Sequence, residues 1–400
     1  MKILGSFLTA FAVCFLITPI LIFFLKKLDV IDSPGGRKIH SNKIPSMGGL
    51  GFVIATLFSL FIWMDYSQLL ELRFILAALS LMLFVGIRDD LVNLTAWQKL
   101  ASQLVATFIV VVMADVRITG LYGLFGVYDL PLVLSYGLSF FTVIVLTNAF
   151  NLIDGLDGLA GTVSVIAFTF LSWWFYSVGQ TSFAILSLTL TGGVLSFLIF
   201  NWHPAKVFMG DTGSLCLGFA LATLVIHFID MNGHLLDVEG LKFRAPIAAG
   251  IALVIIPLYD TARVFFRRAS NGKSPMAPDK SHVHHFLMRG GLRHDQVSLL
   301  LGFISISFIA LSVLGSGFSD YVMIPALVLL AVLLGYRLDS VTLKRVRKRS
   351  KQTASILAKN FPIEPLLNSQ DVEPETKESK PRRRTRIKSK ILENIKLSDN

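Results

Sequence analysis

Long runs of apolar residues alternate with short polar segments over residues 1–338 of this chain. A helix that crosses a bilayer needs about 20 mainly apolar residues, within a range of about 17–25. Eleven segments meet or approach that length, at 4–25, 47–64, 72–87, 99–114, 131–149, 161–178, 183–200, 213–229, 246–264, 297–315 and 321–337. The pattern predicts an all-α fold, a polytopic integral membrane bundle of about 11 transmembrane helices.

The amino-acid composition agrees with a membrane protein, because 54% of the residues are hydrophobic and only 16% are charged. A soluble globular domain carries roughly 25% charged residues. The two cysteines, Cys14 and Cys216, lie in apolar runs and indicate neither a disulfide framework nor a zinc-binding spacing. The first apolar run is too long for a signal-peptide core and lacks a small-residue cleavage site, so we expect it to be a membrane span.

Basic residues are concentrated after the last predicted span. Sixteen of the 37 Lys and Arg residues follow Asp339, in a stretch with few large apolar side chains. Such a stretch buries too little apolar surface to fold by itself. We therefore expect a transmembrane domain at 1–338 and a basic, disordered tail at 339–400 that lies on anionic lipid headgroups. A nucleic-acid partner is not expected.

Lys and Arg also distinguish the two sides of the predicted bundle, because short basic loops remain in the cytoplasm. The loops 26–46 and 265–296 are rich in Lys and Arg. The loops on the opposite side contain few such residues, namely Arg73, Arg117, Lys242 and Arg244. This asymmetry predicts a multi-pass protein of the cytoplasmic membrane, with an external N-terminus and a cytoplasmic C-terminal tail.

Four polar clusters interrupt the apolar sequence, and the predicted topology places all of them on the cytoplasmic side. They are Asp89-Asp90, residues 151–158, residues 208–211 and residues 282–285. A charged side chain near lipid costs at least ~2.5–3.5 kcal/mol at the bilayer centre, so such residues usually mark a functional site. Their common location predicts one active site built from cytoplasmic loops and helix ends.

The acidic clusters favour a metal or phosphate ligand. Adjacent carboxylates such as Asp89 and Asp90 repel each other unless a cation or a proton intervenes. Asp154 and Asp157 stand three positions apart and share a helix face if their segment is helical. Asp211 opens the eighth predicted span, where backbone N–H groups favour phosphate and a carboxylate suits a magnesium ion that bridges it.

The histidine cluster indicates contacts to phosphate or sugar. His282, His284 and His285 are three of the eight histidines and lie in a basic loop. Magnesium prefers oxygen ligands, so we do not assign these imidazoles to it. Carboxylates, basic groups and magnesium are typical of phosphoryl transfer. The pattern thus favours a charged, water-soluble donor and an amphipathic acceptor with its phosphate at the membrane interface.

At these residues the chain resembles the polyprenyl-phosphate N-acetylhexosamine-1-phosphate transferases, over about residues 1–338. It is most similar to the branch that moves GlcNAc-1-phosphate from UDP-GlcNAc to undecaprenyl phosphate. The resemblance rests on five ordered motifs, which are residues 32–40 with 44–49, Asp89-Asp90, residues 148–158, residues 208–214 and residues 282–285.

The resemblance implies that the lipid phosphate attacks the sugar-bound phosphorus, that UMP leaves and that the product starts a cell-surface polymer. It implies Mg²⁺, with Mn²⁺ as a substitute, held by Asp211 and Asn151. The catalytic residues that it implies are Asp89, Asp90, Asp154, Asp157 and His284. The substrate-binding residues that it implies are Lys43, Lys99, Asn148, Phe208, His282 and His285, with the Phe208 ring against uracil.

The prediction of the donor sugar depends on smaller sequence differences between related enzymes. The related enzymes that transfer phospho-MurNAc-pentapeptide carry three consecutive histidines and a Thr-Pro-Thr-Met-Gly-Gly loop. This chain has His-Val-His-His at 282–285, Ile-Pro-Ser-Met-Gly-Gly at 44–49 and the basic pair Arg37-Lys38, which favour the GlcNAc branch. Other N-acetylated UDP-sugars, a covalent or a direct mechanism and a homodimer all remain open, although direct attack is simpler.

Three other classes fit the sequence less well. An intramembrane aspartyl protease is suggested by Tyr259-Asp260 and Gly210-Asp211, but Phe208 replaces a required glycine and the two motifs are in reversed order. An ion-coupled transporter is expected to bind its substrate near mid-bilayer rather than in cytoplasmic loops. A phosphatidyl-alcohol transferase needs an arginine that is missing after Asp154.

Overall fold

The structure, a computed structural model, describes residues 1–30, 44–236, 241–270, 272 and 282–360, with side chains up to residue 352. Within this described part the chain forms thirteen α-helices and no β-strand. The helices are α1 Lys2–Lys27, α2 Gly49–Trp63, α3 Tyr66–Val92, α4 Ala96–Phe108, α5 Leu132–Ile153, α6 Leu159–Ser177, α7 Thr181–Asn201, α8 Gly210–His234, α9 Pro246–Leu253, α10 Ile255–Ser270, α11 Val283–Arg289, α12 His294–Leu314 and α13 Asp320–Asn360. A π-helical segment, Ile109–Met113, extends α4.

The helices confirm the predicted all-α, polytopic membrane architecture. Nine helical segments among the described residues are long and apolar enough to cross a bilayer, and the bent pair α9–α10 makes a tenth candidate. The apolar helix α2 has 15 residues and falls just below the usual length. Each of the eleven predicted segments coincides with one of these helices or with the bent pair.

The ninth predicted segment is not one straight span. The axes of α9 and α10 differ by 83° across a break at Val254. Pro257 explains the break, because it has no N–H to donate to the carbonyl of Leu253 four residues earlier. The bend aims α10 away from α9 and places Asp260, which is buried, beside the histidines of α11.

The end of α13 corrects the predicted boundary of the tail. This helix continues to Asn360, so residues 339–360 are helical, although disorder was expected from residue 339. Arg, Lys and Leu in this stretch are good helix formers. Two hydrogen bonds of 2.7 Å from Arg263 to the Asp339 carboxylate hold the helix near α10. The described residues up to 348 form a first compact unit.

Helix α8 lies at the centre of the first unit and is almost entirely buried. It packs on α2, α3 and α5, and glycines allow the close approach near its start. A Cβ atom on Gly86 of α3 would lie 2.5 Å from Thr212 Cα. A Cβ atom on Gly218 would lie 2.9 Å from the Thr147 carbonyl oxygen of α5. Small residues at helix contacts therefore bring the ends of α3 and α5 to the first turns of α8.

Candidate active site

Polar side chains from four helices meet around Asp211, at the start of α8. Lys99 of α4 forms an ion pair with Asp89 of α3, and its Nζ lies 3.4 Å from Asp211 Oδ2. Asn151 of α5 donates hydrogen bonds to Asp211 Oδ1 and, at 2.8 Å, to the Ser214 hydroxyl. The structure thus brings together four predicted residues that are separated by up to 122 positions in the sequence.

Local sequence features orient the members of this group. Helix α4 begins with a capping box in which the side chains of Thr95 and Gln98 bond to each other's backbone N–H groups, and Lys99 follows directly. Helix α3 ends soon after Asp89, where Asn93 adopts a left-handed conformation with φ 52°. These two helix ends place Lys99 next to the Asp89 carboxylate.

Asp90 has a different environment from its neighbour Asp89. Its Oδ1 accepts a hydrogen bond from the Asp211 N–H at 2.9 Å. Its Oδ2 accepts bonds from the Thr212 N–H at 2.9 Å and from the Thr212 hydroxyl at 2.6 Å. Gly210, with φ 72°, leaves the space, because a Cβ atom there would lie 2.6 Å from Asp90 Oδ2. Asp90 therefore satisfies the free N–H groups at the start of α8.

The Asp89 residue is only 2% exposed, and its carboxylate faces α4 rather than the start of α8. Its Oδ1 accepts a hydrogen bond of 2.7 Å from the Leu94 N–H, and its Oδ2 faces Lys99. Consecutive residues of a helix point about 100° apart around the axis, which separates the two carboxylates. The expected repulsion between Asp89 and Asp90 is relieved by a lysine on one side and by helix N–H groups on the other.

The turn between α5 and α6 separates Asp154 from Asp157. Helix α5 ends at Ile153, and residues 154–158 form a turn, so the shared helix face expected for the two aspartates is not formed. Among the described residues no group donates a hydrogen bond to the Asp154 carboxylate. Burial raises the pKa of Asp154 well above its usual range, and the nearby carboxylates of Asp211, Asp90 and Asp157 add to this effect.

Asp157 faces two histidines that the sequence analysis did not select. Its Oδ2 lies 2.9 Å from Nδ1 of His203 and 3.2 Å from Nδ1 of His294. Burial alone would raise the pKa of the Asp157 carboxyl, but the adjacent imidazoles lower it more, and the net shift is downward. The Asp157 carbonyl accepts a hydrogen bond of 2.9 Å from Ser298 of α12. Asp157 thus belongs to a group of its own.

The histidines of α11 are held by Asp260 of α10. One Asp260 oxygen accepts a hydrogen bond of 2.7 Å from the Val283 N–H, and the other lies 3.0 Å from Nδ1 of His282. The rings of His284 and His285 are 4.3 Å apart. Burial, followed by the charge of neighbouring His285, lowers the pKa of His284 to about 4. His284 is therefore neutral near pH 7.

His284 connects this histidine group to the turn after α5. Its Nε2 is buried and makes no hydrogen bond to any described residue. A Cβ atom on Gly155 would lie 3.1 Å from that nitrogen, so a glycine allows the close approach. The turn that carries Asp154 and Asp157 is thus adjacent to α11.

Comparison with known proteins identifies the family of this chain. A Bacillus subtilis (strain 168) protein named "Probable undecaprenyl-phosphate N-acetylglucosaminyl 1-phosphate transferase" is 35% identical over 315 residues, which cover 78% of this chain and 85% of the relative. The family model of glycosyl transferase family 4 matches residues 72–229. The chain belongs to glycosyl transferase family 4.

Further relatives are similar over most of their length. A protein of Escherichia coli O157:H7 is 29% identical over 355 residues, covering 84% of this chain and 94% of its own. A protein from Yersinia pestis is 28% identical over 343 residues, which cover 84% of this chain and 91% of the relative. Both are named undecaprenyl-phosphate alpha-N-acetylglucosaminyl 1-phosphate transferase. The family assignment confirms the predicted resemblance and the prediction of a transferase enzyme.

The match to family 4 runs from α3 to α8 and includes most of the predicted site. Within it, Asn148 exchanges hydrogen bonds of 2.7 and 3.3 Å with Gln103 of α4, one helical turn before Asn151. Phe208 accepts a backbone hydrogen bond of 2.8 Å from Gly48 and donates one of 2.9 Å to Pro45. These bonds join residues 44–49 to the segment before α8. Lys43, also predicted to bind substrate, lies outside the described residues.

Three residues in or next to the candidate site were not predicted from the sequence to be site residues. Asp260 was considered only as a protease motif, and His203 and His294 are single histidines in their segments. A single histidine is usually structural, so neither carried a signal of its own. Their positions around Asp157 and α11 become evident only when α7, α10 and α12 are packed together.

Proposed function

We propose that this family 4 enzyme transfers GlcNAc-1-phosphate from UDP-GlcNAc to undecaprenyl phosphate at the cytoplasmic face of the cell membrane. The products are UMP and undecaprenyl-diphosphate-GlcNAc, which would start a surface polymer. The observation that carries the proposal is the Lys99 ammonium between the carboxylates of Asp89 and Asp211 at one end of the bundle. The names of the relatives support the choice of acceptor and sugar. The basic loops support the cytoplasmic location.

The residues around Asp211 fit a hard divalent cation, and we propose Mg²⁺, with Mn²⁺ as a substitute. The environment of Asp154 supports this proposal. Its carboxylate lies near that of Asp211 and receives no hydrogen bond from any described residue, so it is available to a cation. Carboxylate and amide oxygens suit Mg²⁺. Asp211, Asp154 and the Asn151 side-chain oxygen would hold the ion. When bound, it would neutralise charge on the donor diphosphate.

The apolar part of the acceptor has a suitable cavity beside the histidines. This cavity lies between α10, α12, α13 and the junction of α5 and α6, and Asp260 and His284 are among its few polar lining residues. Its apolar lining includes Ile153, Leu159, Ile255, Ile256, Leu301, Ile304, Phe308, Ala331, Leu334 and Leu338. We propose that the part of the polyprenyl chain next to its phosphate lies there, with the phosphate directed toward His284 and Asp154.

The proposed reaction is a direct displacement at phosphorus. An oxygen of the acceptor phosphate forms a bond to the sugar-bound phosphorus, and the bond from that phosphorus to the UMP oxygen breaks. UMP leaves with the electron pair. A phosphate monoester is mostly ionised near pH 7, so the attacking oxygen needs little activation. Catalysis then depends on positioning and charge neutralisation.

Individual residues have separate roles in this proposal. Lys99, held by Asp89, would neutralise a phosphate oxygen. Asp90 would act as a positioning residue, since both its oxygens are used to hold the start of α8. His282 and His285 would contact the donor phosphates or sugar. Phe208, three positions before Asp211 in the sequence, would stack on uracil.

The experiment that tests this function measures UMP release by purified protein. The reaction contains undecaprenyl phosphate, Mg²⁺ and, separately, UDP-GlcNAc, UDP-GalNAc or UDP-MurNAc-pentapeptide. We expect release with UDP-GlcNAc that needs both lipid and metal. Asp211→Asn should lower the rate by about 10³-fold, equivalent to about 4 kcal/mol, while the protein stays folded. Release only with the pentapeptide donor would contradict the proposed substrate, and full activity of Asp211→Asn would contradict the metal assignment.

A further inference from the structure

Asp157, His203 and His294 form a compact group on three separate segments of the chain. Asp157 lies in the turn between α5 and α6, His203 in the segment between α7 and α8, and His294 at the first position of α12. One carboxylate oxygen and one nitrogen from each imidazole lie within 4.8 Å of one another. Neither histidine has a place in the proposed transfer reaction, so the group requires a separate explanation.

One contact in this group is a hydrogen bond, between His203 and Asp157, and the other is not. Nδ1 of both histidines faces the same oxygen, Asp157 Oδ2, at 2.9 Å for His203 and 3.2 Å for His294. Nδ1 of His294 is buried and yet makes no hydrogen bond of acceptable geometry to any described residue. A buried polar nitrogen that makes no hydrogen bond is rare, and a metal ion between it and the carboxylate would satisfy it.

The distances match those between neighbouring ligands of one metal ion. Zinc bonds of about 2.0–2.2 Å to nitrogen and oxygen place adjacent ligand atoms about 2.9 Å apart at right angles and about 3.4 Å apart in a tetrahedron. The two observed separations from the carboxylate oxygen, 2.9 and 3.2 Å, lie within that interval, and the two imidazole nitrogens are within 4.8 Å of each other. Two imidazoles and one carboxylate supply three ligands, a number that leaves a further position for water.

The site is also accessible to an ion from solution. The side chains of His203 and His294 are 33% and 29% exposed, whereas that of Asp157 is 10% exposed. A metal ion needs such an entry path as well as suitable ligands. The donor set contains two nitrogens, and affinity for nitrogen rises toward the later divalent transition metals and is low for Mg²⁺.

We propose that Asp157, His203 and His294 form a binding site for a transition-metal dication, with Zn²⁺ as the preferred ion. This site is distinct from the proposed Mg²⁺ site around Asp211, where all the ligand atoms would be oxygens. The bound ion would connect the α5–α6 turn, the segment before α8 and the start of α12. Since Asp154 lies in the same turn as Asp157, the ion would also hold Asp154 in position.

The test counts zinc in the full-length protein in detergent. The protein is treated with a chelator, incubated with Zn²⁺ in excess Mg²⁺, separated from free ion and analysed by mass spectrometry for metals. We expect one zinc per chain in the wild type and its loss in the His203→Gln/His294→Gln double variant. Co²⁺ serves as a second probe, because its visible absorption reports nitrogen ligation and should disappear when Zn²⁺ is added.

Two control variants make the result specific. His234→Gln changes a histidine at the opposite end of α8 and should keep the zinc. Asp211→Asn should also keep it, because Asp211 belongs to the other group. Absence of zinc from the wild type, retention in the double variant or loss in Asp211→Asn would each overturn the proposal. The measurement does not depend on UMP release, so its outcome is independent of the proposed transferase reaction.

Discussion

Asp90 on α3 receives both the backbone N–H and the hydroxyl of Thr212 on α8, at 2.9 and 2.6 Å, through one carboxylate oxygen. This contact joins the end of one membrane helix to the start of another. Asp211 precedes Thr212, so the position of its carboxylate depends on a residue more than a hundred positions earlier. The contact supports the positioning role that we propose for Asp90, in place of the catalytic role predicted for the Asp89-Asp90 pair.

Thr212→Val should weaken this contact without changing the charge of the site. A hydrogen bond to a charged group contributes about 1.5–3 kcal/mol, so we expect a lower melting temperature and a moderately lower kcat. Thr142→Val is the matched control, because among the described residues the Thr142 hydroxyl bonds only to the Leu138 carbonyl. Thermal unfolding in detergent and steady-state UMP release measure the two effects. A large loss of kcat with unchanged stability would instead argue for direct participation of Asp90 in the reaction.

Lys99→Gln should leave the buried Asp89 carboxylate without its ion-pair partner. Removing one member of a buried pair costs about 3–5 kcal/mol, and we expect less here because the Lys99 side chain is 28% exposed. The double variant Lys99→Gln/Asp89→Asn should recover stability, since the unpaired charge is gone, but should stay inactive. Unfolding by denaturant compares the variants. Recovery of activity in the double variant would contradict the role of Lys99 at the phosphate.

His284→Gln should change the response of stability to acid. The pKa of His284 is lowered from 6.5 to about 4 in the folded protein, so the unfolded chain binds the proton more readily between these values. Stability is therefore lost as the pH falls from 6.5 toward 4, by roughly 3 kcal/mol in total from this group. The variant should lose less stability than the wild type over this interval. Melting temperatures measured at pH 7, 6, 5 and 4 provide the comparison, and parallel curves would contradict the prediction.

Gly86→Ala should separate α3 from α8. The added Cβ atom would lie 2.5 Å from Thr212 Cα, a backbone atom that cannot move independently of its helix. Overpacking of this kind costs about 1–3 kcal/mol, and the shift would also displace Asp89 and Asp90 from Asp211. Gly137→Ala on α5 is the control, because nothing lies within 4 Å of the added atom. We expect a loss of stability and activity for Gly86→Ala and no loss for Gly137→Ala. Equal stability and activity of the two variants would show that the close contact between α3 and α8 is not required.

The apolar pattern was sufficient to predict eleven segments, each of which coincides with an apolar helix or with the bent pair α9–α10. Each needs only enough consecutive apolar residues to cross a bilayer, which is a local property of the chain. The bend between α9 and α10 was not anticipated, although Pro257 provides its cause. The helical extension of α13 was also missed, because a charged composition alone does not distinguish a disordered tail from a helix that continues out of the bundle.

The sequence by itself determined the class of the protein, the family to which it belongs and most of the residues that gather around Asp211. Their chemistry was visible because carboxylates, amides and clustered histidines are unusual in such an apolar chain. Only the tertiary structure decided how these residues divide into groups. It directed Asp89 toward Lys99, Asp90 toward α8 and Asp157 toward His203 and His294. Hydrogen bonds and ion pairs between distant segments depend on helix packing, which no local pattern in the sequence contains.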